Sequence, residues 1–106
     1  MSNKSVIIDG VRSPIGIKNG SIVGMRPDDL AAQIVSGLLK RNPSVPTSDI
    51  EDLVMGCAFP EGPQGMLIGR SVGILSGLNI ETGGKVVNRF CGSSMDALHQ
   101  VSASIE

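Results

Sequence analysis

Cys91 is the residue of this sequence whose type and setting could support covalent chemistry. Residues 85–90 have the β-branched pair and the length of a buried strand, and Gly92 permits a tight turn. Ser93, with Asp96 three residues later, is a suitable helix start. A cysteine on such a turn lies beside unpaired N–H groups and the positive end of the helix dipole, which favour the nucleophilic thiolate. Because those N–H groups could also bind an oxygen that becomes negative during attack on a carbonyl, Cys91 is a candidate covalent nucleophile.

The alternative for Cys91 is a small, inert core residue, which is a common state of cysteine in proteins. His99 is the single histidine, and it lies eight residues after Cys91. Eight residues of helix rise by about 12 Å, whereas a catalytic base needs hydrogen-bond reach of about 3 Å. His99 is therefore predicted to be a structural or surface residue. One histidine and two cysteines also fall short of a four-ligand zinc site, so no metal is expected.

The composition is typical of a soluble globular protein of at most one ordinary domain. The 106 residues are 41% hydrophobic and 18% charged with a net charge of −1, which gives no electrostatic case for binding nucleic acid or an anionic membrane surface. The aromatic residues are two phenylalanines, so there is almost no platform for base stacking. No apolar run approaches the ~20 residues that span a bilayer, and the N-terminus does not read as a signal peptide. We expect a cytoplasmic protein in which Cys57 and Cys91 are free thiols.

Strands and helices are predicted to alternate along the chain. The elements are strands at residues 5–11, 53–59 and 85–90, helices from Pro27 to Asn42, at 66–76 and after Cys91, and a short helical turn at a Ser48–Glu51 capping box. This order predicts an α/β domain with a mainly parallel sheet. Three strands make a small sheet, and no stop signal closes the last helix, so we expect the chain to be part of a longer one.

Glycines recur every four residues at Gly65, Gly69, Gly73 and Gly77. On a helix they would form a bare stripe, at a cost of about 0.5–1 kcal/mol for each internal glycine. The stripe indicates that another helix or a partner subunit approaches closely. The alternative is a locally weak helix with no close neighbour.

Three segments together resemble the thiolase family, the acyl-CoA C-acyltransferases. The most specific is residues 87–98, VNRFCGSSMDAL, around the cysteine; residues 6–16 are similar to the family's N-terminal strand and loop, and residues 56–66 to its second strand and glycine-rich loop. The resemblance extends over residues 5–106. It implies a thiolase-like α/β fold, with residues 1–106 forming an incomplete N-terminal domain. The related ketoacyl synthases surround their cysteine with a different pattern and fit less well.

The resemblance implies a ping-pong acyl transfer on Cys91. The cysteine would attack the 3-keto carbon of a 3-ketoacyl-CoA, acetyl-CoA would leave, and free coenzyme A would take the remaining acyl group from the sulfur. The reverse reaction is a Claisen condensation. The family uses coenzyme A and acyl-CoA as substrates, with no metal and no bound cofactor. It also implies a homodimer or homotetramer, with residues 85–90 as a candidate interface strand.

Two motifs that complete the family's active site do not occur in this sequence. They are a Gly-His-Pro motif, whose histidine activates the nucleophile, and a Cys-x-Gly-Gly-Gly motif, whose cysteine does acid/base work. Cys57 lacks the glycine loop of the second motif and is predicted to be structural. We therefore expect the chain alone to be inactive. The alternative is a genuine short thiolase-like module that binds a partner subunit. Residues 88–95 around Cys91 resemble degradative thiolases more than biosynthetic ones.

Overall fold

The fold consists of helices packed on a small sheet. The computed structural model describes residues 3–106. Its helices and strands are α1 (Pro27–Arg41), β1 (Asp52–Gly56), α2 (Ile68–Leu75), β2 (Gly83–Val87) and α3 (Ser93–Ile105), with 3₁₀ turns at Thr47–Asp49, Gly62–Gln64 and Phe90–Gly92. None of the helices among these residues is long and apolar enough to cross a membrane.

β1 and β2 pair in parallel, with Asp52 opposite Gly83 and Gly56 opposite Val87. Successive side chains of a strand point to opposite faces of the sheet. Leu53 packs into the core beside α2, whereas Gly56, three positions later, faces the first turn of α3. The helices α2 and α3 therefore cover opposite faces of the sheet. The predicted α/β architecture with parallel strands is confirmed.

α1 follows the predicted signals at both ends. Pro27 occupies the first turn, where its missing N–H costs nothing, and Asn42 is the C-cap. Asp28 lies in the first turn, and the Arg26 guanidinium that hydrogen-bonds it at 3.1 Å lowers the pKa of that carboxyl. Acidic residues at the start and basic residues at the end complement the helix dipole.

The core is small and aliphatic. Cys57, Ile68 and Val72 are buried at its centre, and Val72 has no exposed surface. Partly buried apolar residues of α1, β1 and β2 surround them: Ala31, Val35, Leu53, Met55 and Val86. α2 is thus the element that joins α1 to the sheet.

The predicted stripe of four glycines is not continuous on α2: Gly65 and Gly77 lie outside the helix, and Gly69 is the member that lies against the sheet backbone. A Cβ placed on Gly69 would collide with the backbone oxygen of Lys85. Across the same contact, a Cβ on Gly84 would lie 2.5 Å from the backbone of Arg70. Gly73 has only ordinary contacts, and Gly77 closes the helix at φ +90°. The close approach of α2 to the sheet therefore requires Gly69 and Gly84. It does not require a glycine at every fourth position.

The predicted strand at residues 5–11 does not form, and this prediction was wrong. Within residues 3–106 the sheet consists of β1 and β2 alone. Val6, Ile7 and Ile8 run without ladder bonds and are 75–77% exposed. A strand depends on a neighbour that accepts and donates its backbone hydrogen bonds, and apolar pattern alone does not supply one.

Other boundaries move by a few residues. The strands predicted at 53–59 and 85–90 are observed at Asp52–Gly56 and Gly83–Val87, and the helix predicted at 66–76 spans Ile68–Leu75. The helical turn near Ser48 forms at Thr47–Asp49, but Pro46 is its N-cap and no side chain caps it, so the predicted capping box is wrong. Apolar runs alone do not show where ladder bonds stop.

Candidate functional site

Cys91 lies in the 3₁₀ turn Phe90–Gly92, between the end of β2 and the start of α3, and it is exposed. The predicted order of strand, turn and helix around Cys91 is therefore confirmed. The interpretation of Cys91 as a buried core residue is wrong for this chain. Cys57 is the buried cysteine: it directly follows β1, donates its backbone N–H to Val87, and belongs to the core. Its predicted structural role agrees with this position.

The turn that carries Cys91 contains an unusual backbone conformation. Phe90, immediately before the cysteine, has φ +47°, in the left-handed region that side chains with a Cβ rarely occupy. Such a residue costs on the order of 1–3 kcal/mol and persists only where the surroundings hold it. The contacts of the neighbouring residues show what holds it here.

The Ser93 hydroxyl bridges the turn from within. Its side-chain oxygen accepts the Arg89 backbone N–H at 2.9 Å and donates to the Phe90 carbonyl at 2.6 Å. Ser93 is only 4% exposed, so water does not compete for these bonds. The helix start predicted at Ser93 is confirmed: Ser93 is the first residue of α3, and its hydroxyl turns back to the strand end.

Three further contacts tie the turn to its surroundings. The Asn88 side-chain oxygen accepts the Phe90 N–H at 2.9 Å, and its amide nitrogen donates to the Ala58 carbonyl at 3.2 Å. Arg89 and Asp96 form an ion pair at 3.5 Å, which links the strand end to the first turns of α3. The Asn88 contacts hold the chain after β1 beside the cysteine turn.

Gly56, the last residue of β1, allows α3 to approach the sheet. A Cβ at this position would lie 2.5 Å from the Ser94 nitrogen and 2.6 Å from the Ser93 carbonyl carbon. These are backbone atoms of the first turn of α3, which cannot rotate away as a side chain would. The position of the cysteine turn therefore depends on the absence of a side chain at Gly56.

Two exposed phenylalanines flank the turn. The rings of Phe59 and Phe90 have centroids 6.2 Å apart at 50°, within the range of favourable aromatic pairs. They remain 63% and 66% exposed. The pair gives the surface beside Cys91 an apolar character.

His99 lies on the exposed side of α3, in agreement with its prediction as a surface residue. Among residues 3–106, no three His, Cys, Asp or Glu side chains are grouped so that they could hold a metal ion. Sequence reasoning missed the roles of Gly56 and Asn88. A glycine at the end of a strand and an asparagine before a turn were visible signals, but nothing local identified their partners.

Comparison with known proteins identifies the family. The family model described as "Thiolase, N-terminal domain" matches residues 5–106. The chain belongs to the thiolase family. It is 46% identical over 104 residues to a 3-ketoacyl-CoA thiolase of Marinomonas sp., and the match covers 97% of this chain and 27% of the relative. It is 48% identical over 101 residues to a 3-ketoacyl-CoA thiolase of Aliivibrio fischeri and 46% identical over 101 residues to one of Psychrobacter arcticus, in each case covering 94% of this chain and 26% of the relative.

This thiolase chain thus spans about a quarter of the length of the curated relatives it matches. The fold class expected from the resemblance, a thiolase-like N-terminal α/β domain, is confirmed by the family match and by the two parallel strands.

Proposed function

We propose that this chain is the incomplete N-terminal domain of an acyl-CoA C-acyltransferase and that Cys91 is its acyl-accepting nucleophile. The observation that carries the proposal is the exposed thiol on the turn between β2 and α3. Relatives named 3-ketoacyl-CoA thiolase that match nearly the whole chain support the substrate class. The histidine and second cysteine that the reaction needs are expected in sequence beyond residues 1–106.

In the proposed reaction, the Cys91 sulfur forms a bond to the 3-keto carbon of a 3-ketoacyl-CoA. The bond between the second and third acyl carbons then breaks, and its electron pair stays on the second carbon. That carbon takes up the proton that the Cys91 thiol has released and becomes the methyl group of acetyl-CoA. The shortened acyl group stays on Cys91 as a thioester. The thiolate of coenzyme A then attacks that thioester, forms the new acyl-CoA and restores the Cys91 sulfur.

The protein's part in this reaction is to present and hold the nucleophile. Cys91 lies on the exposed turn between β2 and α3, where a substrate can reach its thiol. The turn is fixed by the Ser93 and Asn88 side chains, so the backbone that carries the thiol is held before substrate arrives. Positioning of this kind lowers the entropic part of the barrier.

The remaining parts of the proposal follow the family. We propose coenzyme A and acyl-CoA as the only small molecules bound, with no metal or resident cofactor, a homodimer or homotetramer as the assembly, and the cytoplasm as the location. A degradative direction is proposed over a biosynthetic one.

The test has two arms, both on the complete gene product purified from its source cells. Intact mass, measured after capture with an antibody against this stretch, should exceed 11.0 kDa several-fold. Thiolysis of acetoacetyl-CoA should then fall at least about a thousandfold in Cys91→Ser, because nucleophile and base act as a unit. Mass spectrometry of the wild type should find the acyl group on Cys91.

A gene product of 11.0 kDa would overturn the catalytic proposal in favour of the partner-binding module, which would be recovered in complex with a longer thiolase subunit. Equal thiolysis by the wild type and Cys91→Ser would refute the role of Cys91. Cys57→Ser is the matched control: it removes the other thiol, which is buried, and should leave the acyl-enzyme intact.

A further inference from the structure

The Ser93 hydroxyl is a buried polar group in the turn that carries Cys91, and the proposed reaction does not use it. It is 4% exposed and makes two hydrogen bonds, one to each end of the segment that precedes the cysteine. Ser93 begins α3, as predicted, and its contacts indicate a further role.

The bond to the Phe90 carbonyl acts directly on Cys91. The Phe90 carbonyl and the Cys91 N–H belong to one planar peptide unit, so fixing the carbonyl direction fixes that plane. The 2.6 Å bond from Ser93 points this carbonyl towards the start of α3, and the trans geometry then directs the Cys91 N–H to the opposite side. The plane also contains the N–Cα bond of Cys91, so it fixes the bond that places the Cα atom and, through it, the side chain.

The bond to Arg89 closes the other side of the turn. The Arg89 N–H donates to Ser93 at 2.9 Å, which holds the residue before Phe90 while Phe90 itself keeps φ +47°. A strained residue relaxes unless the surrounding contacts determine its conformation. Asn88, which accepts the Phe90 N–H, holds the strained residue from the strand side, and Ser93 holds it from the helix side.

We propose that Ser93 is a positioning residue for Cys91: its hydroxyl locks the Phe90–Cys91 peptide plane and so holds the thiol in its reactive orientation. This proposal rests on the proposed acyl transfer for its kinetic consequence. Its structural consequence, a fixed cysteine at the start of α3, can be measured without any turnover.

The experiment compares Ser93→Ala, Ser93→Thr and Ser94→Ala in the complete gene product. Ser94 is the matched control, because it is the neighbouring serine but is exposed. In Ser93→Ala we expect kcat for acetoacetyl-CoA thiolysis to fall about ten- to hundredfold with KM nearly unchanged, since a misplaced reacting group costs rate rather than binding. Ser93→Thr, which keeps the hydroxyl, should restore kcat, and Ser94→Ala should match the wild type.

Alkylation of Cys91 by iodoacetamide, followed by mass spectrometry, is the second readout. In Ser93→Ala the rate should change by about two- to fivefold, because a thiol that is no longer held in one orientation differs in its access to the reagent. Buried Cys57 serves as the internal reference, since alkylation there reports unfolding instead of local displacement.

The outcomes separate the two proposals. Absence of thiolysis in the wild type together with a changed Cys91 alkylation rate in Ser93→Ala would refute the acyl-transfer function and retain the positioning role. Wild-type kcat and alkylation rate in a folded Ser93→Ala would overturn the positioning role. Where Ser93→Ala does not fold, Ser93→Thr decides: retained kcat supports the hydroxyl's role, and a folded Ser93→Thr with the hundredfold loss contradicts it.

Discussion

Replacing Gly56 with alanine should displace the helix that carries the cysteine turn. The added Cβ would lie 2.5 Å from the Ser94 nitrogen, whereas ordinary contacts of such atoms begin near 3.4 Å. The first turn of α3 must therefore retreat by roughly 0.9 Å, or β1 must bend by the same amount. Both partners are backbone, so no rotamer change relieves the contact.

Overpacking of this kind costs about 1–3 kcal/mol of unfolding free energy. A displacement near 1 Å at a reacting group also costs up to about a hundredfold in rate. We therefore expect Gly56→Ala to lower both the urea midpoint of the complete gene product and kcat for thiolysis. The loss should appear in kcat, because the turn that carries the nucleophile leads directly into this helix.

Gly37→Ala is the matched control for Gly56→Ala. Gly37 lies inside α1, and a Cβ there meets nothing within 4 Å. The substitution should raise the unfolding free energy by about 0.4–1 kcal/mol, since alanine loses less backbone entropy on folding. The reasoning is refuted if Gly56→Ala matches Gly37→Ala in the urea midpoint and leaves kcat at the wild-type level.

Two further predictions concern the loops. The Asn42 side chain, the Gly10 N–H and Arg41 lower the pKa of the Asp9 carboxyl, so this attachment of the N-terminal segment to the end of α1 persists above the ordinary carboxyl range of about pH 4 and is lost as the pH falls below it. NMR order parameters of the residue 5–11 backbone should fall there, and in Asp9→Asn at neutral pH, and unchanged order parameters would contradict this prediction. The Arg70 guanidinium donates to the Thr82 and Ile80 carbonyls, so Arg70→Met should lower the free energy of urea unfolding by about 1–3 kcal/mol and loosen residues 79–82. Arg70→Lys keeps the charge but not the two-pronged donor geometry and should recover only part of that free energy, whereas full recovery would show that charge alone matters.

The sequence by itself determined the local features of this protein. Pro27 and Asn42 marked the ends of α1, and the run around Cys91 predicted the strand, turn and helix that the structure shows. These signals are local, since caps, fixed φ values and apolar periodicity act within a few residues. The same short run also pointed to the thiolase family, which the match over residues 5–106 confirms.

Only the tertiary structure decided which segments pack against each other and which residues they bury. Local sequence could not tell whether Cys91 was buried or exposed, because burial depends on elements distant along the chain. The apolar residues 5–11 read as a strand, but without a ladder partner they remain exposed. The need for glycine at Gly56 and Gly69 came from backbone atoms of α3 and β2, which only the packed fold brings into contact.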